Sequence, residues 1–451
     1  MLHFQINSLW LLCSFVLLIA ISDYFPLMRA SSKSTDTPLQ PCDEWIDALD
    51  LESFRSDIAN LGKTLSAQQG PADLAHLRKM IFWSNALTFC GLISTPFLPV
   101  WTCVPAILLS LGVTSRWTMI AHHTCHGGYD KSGDSRYNRF TFGVGSLWRR
   151  ALDWFDWFLP EAWNVEHNQL HHYKLGETTD PDLLERNMLE NRIDDNVLRK
   201  YAVVAFIIMS WKWWYYAPNT FKVLRAREMR KTNPAALSQE MKRVDLEQPL
   251  VLTALLSAAS HVPRFVSIVD FLARVMLPFL IYRFVLLPAI PLYVAHTLGR
   301  VFSVSTLSTC SYATCVLHFV LADVLANIHS FIIIATNHCG NDMYRFATPC
   351  RFGSGTFYLR QVVSSANFSA GTDVIDFFHG FLNYQVEHHL WPNLSMLSYQ
   401  KAMPKVKAIC KKHGVPYVQE NVLTRMGKTV DIMLGNTSMR VYPRDREFGS
   451  K

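Results

Sequence analysis

Residues 81–126 read IFWSNALTFCGLISTPFLPVWTCVPAILLSLGVTSRWTMIAHHTCH, and the reading of this run decides the fold. As far as Ala121 it is almost continuously apolar, broken by Pro96, Pro99 and Pro105. That length suits two helices joined by a tight turn near Pro99, a transmembrane hairpin that leads straight into a stretch rich in histidine. A second hairpin is expected from Val275–Ala295, interrupted by Arg283, and from Tyr312–Ala335, which carries His318, Asp323 and His329 at membrane depth. Polar groups are expensive there, and helix-to-helix hydrogen bonds are expected to occupy His318 and Asp323. The fold class read from this pattern is all-α integral membrane, a four-helix transmembrane bundle made of two hairpins.

Composition agrees with a membrane protein that also has a substantial polar part. Half of the 451 residues are apolar and 18% are charged, with a formal net charge of +7. The basic residues are spread over loops between apolar segments, which is the positive-inside pattern and argues against a nucleic-acid partner. Arg116–Lys200, Arg225–Arg264 and the stretch after Asn337, with Lys401, Lys405, Lys407, Lys411 and Lys412, are therefore expected on the cytosolic side. Tyr201–Pro218, rich in Trp and Tyr, is expected to form a helix in the interface. The apolar stretch Leu9–Ile21 is short for a span and reads equally as a cleaved signal or an uncleaved anchor. The ten cysteines show no CxxC pair and are expected as free thiols. The expected organisation is an N-terminal apolar segment and polar cytosolic region (1–80), a membrane domain (81–420) and a C-terminal tail (421–451).

Three clusters lie in the expected cytosolic regions: His122-His-Thr-Cys-His126, His167-Asn-Gln-Leu-His171-His172, and Gln385-Val-Glu-His388-His389. On a helix, residues four apart share a face, so His122 with His126, His167 with His171, and Gln385 with His389 can converge on a metal. Adjacent residues point about 100° apart, which lets the pairs His171-His172 and His388-His389 reach two different ions. With 17 histidines in the chain, an accidental HxxxHH arises about 0.02 times, so three clusters are not chance. Their imidazoles exceed what one ion can use, which predicts a two-metal site. Imidazole suits Zn, Cu, Fe and Ni alike, and the absence of HExxH argues against zinc hydrolysis. Glu166, Glu177, Asp180, Asp182 and Glu387 stand close by in sequence and are expected to accept the second N–H of ligand rings. For Asp180 and Asp182, plain solvated loop charge is an equal reading.

These motifs resemble those of the membrane fatty acid desaturase family, whose three boxes take the forms HxxxH, HxxHH or HxxxHH, and HxxHH or QxxHH. The match runs from about residue 80 to residue 420. It is carried by Trp163-Asn-Val-Glu-His-Asn-Gln-Leu-His-His and Asn383-Tyr-Gln-Val-Glu-His-His-Leu-Trp-Pro-Asn. The box beginning at Gln385 is similar to that of front-end acyl desaturases and of sphingolipid desaturases. A histidine just after the last span is a further family feature, matched by His338 in Thr336-Asn-His-Cys-Gly, whereas His329 fits it less well. The resemblance implies a cytosolic helical cap holding two iron ions, with His122, His126, His167, His171, His172, His338, His388 and His389 as ligands. It implies Gln385 as a ligand or a water-mediated neighbour, with His123, Glu166, Asp180, Asp182 and Glu387 behind them. His123 stands where many members have Asp, so it is either an extra ligand or a supporting group. No HPGG of a fused cytochrome b5 domain occurs, which implies electrons from separate cytochrome b5 and its NADH-dependent reductase. The implied reaction uses O2 and two electrons to remove two hydrogens from adjacent methylenes of a lipid acyl chain, in the endoplasmic reticulum membrane. An acyl or sphingolipid hydroxylase using the same site is the nearest rival, and a histidine-lined metal transporter a more distant one.

Overall fold

The computed structural model describes residues 43–304 and 311–447, so the expectation for Leu9–Ile21 lies outside the described residues. The described chain is mostly helical, with two parallel pairs of two-residue strands. Helix α1 (Leu51–Ala67) starts where the Asp50 carboxylate accepts from Ser53 N at 3.0 Å. Helix α2 (Pro71–Ser94) has proline at its first position and Asp73 closing back on Gly70 N at 2.7 Å. A short turn through Pro99 then reverses the chain into α3 (Val104–Cys125), with Cys103 left-handed at φ 57°. This is the first expected hairpin, its first arm beginning about ten residues earlier than the apolar pattern suggested because polar residues extend the helix into the cap.

Helices α3, α6 (Ile268–Val301) and α7 (Tyr312–Asn337) are long and apolar enough to cross a membrane. Helix α2 misses that standard because Asp73, Arg78 and Lys79 occupy its first turns, although Met80–Ser94 carries no charge. The four helices pack in a ring, α2 on α3, α3 on α7, α7 on α6 and α6 on α2. Their outer faces expose Phe82, Phe89, Leu277, Ile281, Val285 and Ile290, an arrangement suited to lipid rather than water. Together with the three long apolar helices, this makes the chain an integral membrane protein.

Arg283, which interrupts the apolar run, lies within the continuous helix α6. Its guanidinium pairs with Asp323 of α7 at 3.2 Å and lies between the rings of Phe155 and Phe319, so the charge is compensated in place. His318 Nε2 meets Leu98 O at 2.8 Å and His329 Nε2 meets Phe378 O at 2.7 Å, so each of these rings is used in a hydrogen bond between elements. The aromatic-rich helix is longer than expected: α5 (residues 197–232) crosses α7, with Trp211 Nε1 donating to Asn327 O at 3.0 Å. Lys212 in its middle is buried on Asp156 at 2.7 Å.

Everything that carries chemistry sits at one end of this ring. Helices α3 and α7 both run towards that end, and it is capped by α4 (residues 160–174), α8 (Gly355–Val363), α9 (Gln385–Leu390), α10 (Met396–His413) and α11 (Val422–Leu434). Strand β1 (Tyr344–Arg345) pairs with β4 (Arg440–Val441), and β2 (Ala366–Asn367) with β3 (Val418–Gln419).

Candidate metal centre

The eight expected histidines meet inside the cap and divide into two groups. His122, His126, His167, His172 and His388 form the first, and His171, His338 and His389 the second. Seven of the eight are buried, with His338 partly so. The adjacent pairs His171-His172 and His388-His389 each send one ring to each group, as the angular argument predicts. His172 stacks on His389 with centroids 4.2 Å apart, so the groups share a wall.

One expected pairing differs. His167 was expected to converge with His171, yet its closest nitrogen partner within the second box is His172, Nε2 to Nε2 at 3.2 Å. The physical cause is local winding: residues 167–171 form a π turn, which brings the fifth residue on, not the fourth, into register. Another π turn, Ser115–Ala121, precedes the first box. His167 also approaches His171 and Asp182 more loosely, within 4.8 Å.

The donor set fits a cation. His122 Nε2 lies 3.0 Å from His388 Nε2 and 3.2 Å from His167 Nε2, which in turn faces His172. A neutral ring nitrogen has one hydrogen or one lone pair, so it cannot bond linearly to two other nitrogens at once. Two imidazole nitrogens about 2.1 Å from a shared ion, at right angles, stand about 3.0 Å apart. His126 Nε2, without a hydrogen-bond partner, completes the first group. In the second group His338 Nε2 lies 3.1 Å from His389 Nε2 and 2.8 Å from Gln385 Nε2.

Burial, reinforced by neighbouring rings, holds His126, His167, His172, His388 and His389 well below the ordinary histidine range, and pushes His338 down to about 3. Neutral rings keep a lone pair to offer a metal. His171 differs: burial opposes its charged form, but Asp180 and Asp182 outweigh it and raise the pKa.

The supporting groups are only partly those expected. Asp180 Oδ1 accepts from His171 Nδ1 at 2.9 Å, with Asp182 at 3.7 Å from the same atom. Glu166 and Glu387 bond to no cluster ring among the described residues, because each points away from the histidine that follows it. Glu166 accepts from Tyr216 at 3.2 Å, and Glu387 from Asn367 and Tyr417 at 2.8 Å each. Burial raises Glu166 well above the carboxylate range and pushes Glu387 up to about 7. His123 joins neither group, since its Nδ1 turns back to Met119 O at 2.6 Å. Gln385 is oriented by Asn337, whose Nδ2 bonds Leu382 O at 2.8 Å and Gln385 Oε1 at 3.1 Å, leaving the amide nitrogen to face the rings. Sequence reasoning missed Ser364, whose carbonyl meets His338 Nδ1 at 3.1 Å, and Tyr399, whose hydroxyl lies 3.4 Å from His388 Nδ1. A backbone carbonyl leaves no residue-type signal, and a tyrosine eleven positions on leaves almost none.

A cavity of about 810 Å³ reaches His126, His172 and His389. Its walls include the apolar Val165, Leu224, Phe357 and Leu390, together with the half-buried Arg227 and the exposed Lys231.

Against known proteins, a family model described as fatty acid desaturase matches residues 99–421. The chain is 23% identical over 395 residues to an NADPH-dependent stearoyl-CoA 9-desaturase of Mycobacterium tuberculosis, covering 84% of this chain and 78% of that protein. Over 112 residues, about a quarter of either chain, it is 34% identical to a Delta(8)-fatty-acid desaturase of Euglena gracilis. Over 73 residues, 15% of this chain and 16% of the relative, it is 46% identical to fatty acid desaturase 3 of Bos taurus. No solved structure matches.

Proposed function

We propose, as the chain belongs to the fatty acid desaturase family, that this integral-membrane oxidoreductase introduces a double bond into a long-chain acyl group of a lipid. In this reading each histidine group holds one iron ion. His122, His126, His167, His172 and His388 are the ligands of the first, and His171, His338 and His389 those of the second. Gln385 is then a hydrogen-bond donor to a water at the second position, because its amide presents nitrogen instead of oxygen. The observation that carries the reading is the division of eight imidazoles, seven of them buried, into two groups, with two adjacent pairs each serving both.

The reaction consumes O2, two electrons and two protons, removes one hydrogen from each of two neighbouring methylenes, and yields an alkene and two waters. The irons, when bound, supply the oxygen activation and the hydrogen abstraction from unactivated carbon. The chain's own contribution is to hold the buried rings other than His171 neutral, to orient His171 through Asp180 and His338 through the carbonyl of Ser364, and to receive the reacting carbons against the apolar walls of the cavity.

Four further elements belong to this proposal. Helix α2 completes a four-span bundle through its uncharged portion. The basic loops support a cytosolic cap and active site, with the endoplasmic reticulum as the proposed host membrane. Lys401, Lys405 and Lys411, exposed on α10, offer a docking face to an acidic electron carrier, for which cytochrome b5 with its NADH-dependent reductase is the candidate. The site residues lie within a domain spanning 81–420.

Lipid analysis of cells expressing the full chain together with cytochrome b5 is the test. The expected result is a new unsaturated acyl species, lost in a His167→Ala variant that still inserts into membranes. Hydroxylated lipid without any alkene product would overturn the desaturase reading in favour of a hydroxylase.

A further inference from the structure

Residues 440–447 lie beyond the run matched by the family model, and Glu447 is fully buried. Arg440 N donates to Met343 O at 2.8 Å and Tyr442 N to Arg345 O at 2.9 Å, so β4 is laid along β1. Phe346, next in line, donates its N–H to Gly176 O at 2.8 Å and stacks on Tyr442 with centroids 4.8 Å apart. Above the Phe346 ring, at 4.3 Å, lies the guanidinium of Arg360. That guanidinium joins Glu177 at 2.9 Å to Glu447 at 3.4 Å, and all three side chains are buried. Glu447 also accepts from the N–H groups of Ala347 at 2.8 Å and Thr348 at 3.0 Å, so both of its oxygens are used.

Each side of this clasp ends on a ring of the second group. On one side Glu177 opens the turn to Asp180, with Asp180 N bonded to Glu177 O at 3.0 Å and Gly176 N to Asp180 Oδ2 at 3.2 Å, and Asp180 holds His171. On the other side Ser364 N bonds Arg360 O at 3.0 Å and Ser364 Oγ bonds Tyr344 O at 2.7 Å, while the carbonyl of Ser364 holds His338. Among the described residues the second nitrogens of His122 and His172, in the first group, have no hydrogen-bond partner, and neither has that of His389 in the second. Two of the three rings of one group are thus steered by a network that closes on Glu447, and the other group is not.

We propose that Glu447 is a positioning residue for the second metal position: through Arg360 and Glu177 it sets the orientation of His171 and His338 without touching either. This rests on the reading that each histidine group holds one iron. A carboxylate at residue 447 keeps Arg360 centred between two anions. A neutral side chain there releases the guanidinium towards Glu177 alone and lets the Glu177–Asp180 turn and the end of α8 drift.

The test is ferrous-iron titration of the purified, metal-depleted full chain in lipid nanodiscs, comparing wild type with Glu447→Gln, Glu447→Asp and the milder Thr348→Val, with hydrogen exchange followed at residues 175–182. Wild type is expected to take two irons. Glu447→Gln should keep the tighter iron, bind the second roughly 10–100-fold more weakly, and exchange faster across 175–182. Glu447→Asp should recover part of that affinity, and Thr348→Val should show a smaller loss in the same direction. Unchanged affinity for both irons in Glu447→Gln and Thr348→Val would overturn the proposal, as would an equal loss of both irons, which marks a general folding role. Fewer than two irons in wild type would bring down the two-iron reading, and this inference with it.

Discussion

The two histidine groups differ in how their rings are held. The first is packed: its five rings lean on one another, and Trp163 stacks on His167 at 4.6 Å with planes 19° apart. The second is tethered through two of its three rings: His171 reaches outward to Asp180, and His338 to the carbonyl of Ser364 and to Gln385. Packed rings are positioned by many small contacts and resist any single change, whereas tethered rings depend on a few hydrogen bonds that a single substitution can remove. The two positions should therefore have unequal metal affinity, the second being the one that surrounding loops can tune.

Removing a ligand from either group gives the largest effect. His167→Ala and His338→Ala should each reduce product formation by roughly 10³-fold or more, because the two positions act as a unit. Iron content separates them: His338→Ala should retain one iron per chain, while His167→Ala should lose the first-group iron and weaken its neighbour as well. Identical iron loss in the two variants would break the contrast between the groups.

Asp180→Asn should have the next effect. Replacing the carboxylate that faces His171 Nδ1 should weaken iron at the second position by roughly 10–100-fold and leave the first within experimental error, as read by iron titration. Gln385→Leu comes third. Since its amide nitrogen faces the second group, loss of that donor should leave two irons bound and lower turnover by about tenfold, the worth of about one hydrogen bond. Iron lost together with turnover would make Gln385 a ligand after all. Tyr399→Phe should matter least, under about threefold in turnover, because its hydroxyl also donates to the carbonyls of Trp391 and Pro392 and stands 3.4 Å from His388.

Side-chain chemistry concentrated in short runs was legible from the sequence, and so were long apolar segments. The three boxes name seven of the eight rings, His338 coming from the resemblance, and the 100° step between neighbours divides His171 from His172 and His388 from His389. Three of the four hairpin helices follow from length and apolarity, and Asp323, forty residues away, compensates Arg283 within one of them. What stayed hidden depends on winding or on contacts distant along the chain. The π turn at 167–171 redirects His167 to His172, and no residue type announces such a turn. Glu166 and Glu387 precede cluster histidines but turn away from them, so adjacency in sequence overstated their role. The orientation of Gln385 depends on Asn337, and the support of His338 on a carbonyl. The pairing of residues 344–345 with 440–441 spans almost a hundred positions through strands of two residues, too short for any alternation to show.

The central claim is that two iron ions, one per histidine group, carry a desaturation. Elemental analysis of the purified full chain, fractionated so that metal content can be plotted against product formed per chain, tests it most directly. Activity is expected to rise with iron, to approach its maximum only as iron nears two per chain, and to gain nothing from zinc. Full activity at one iron per chain, or activity that follows zinc, would contradict it.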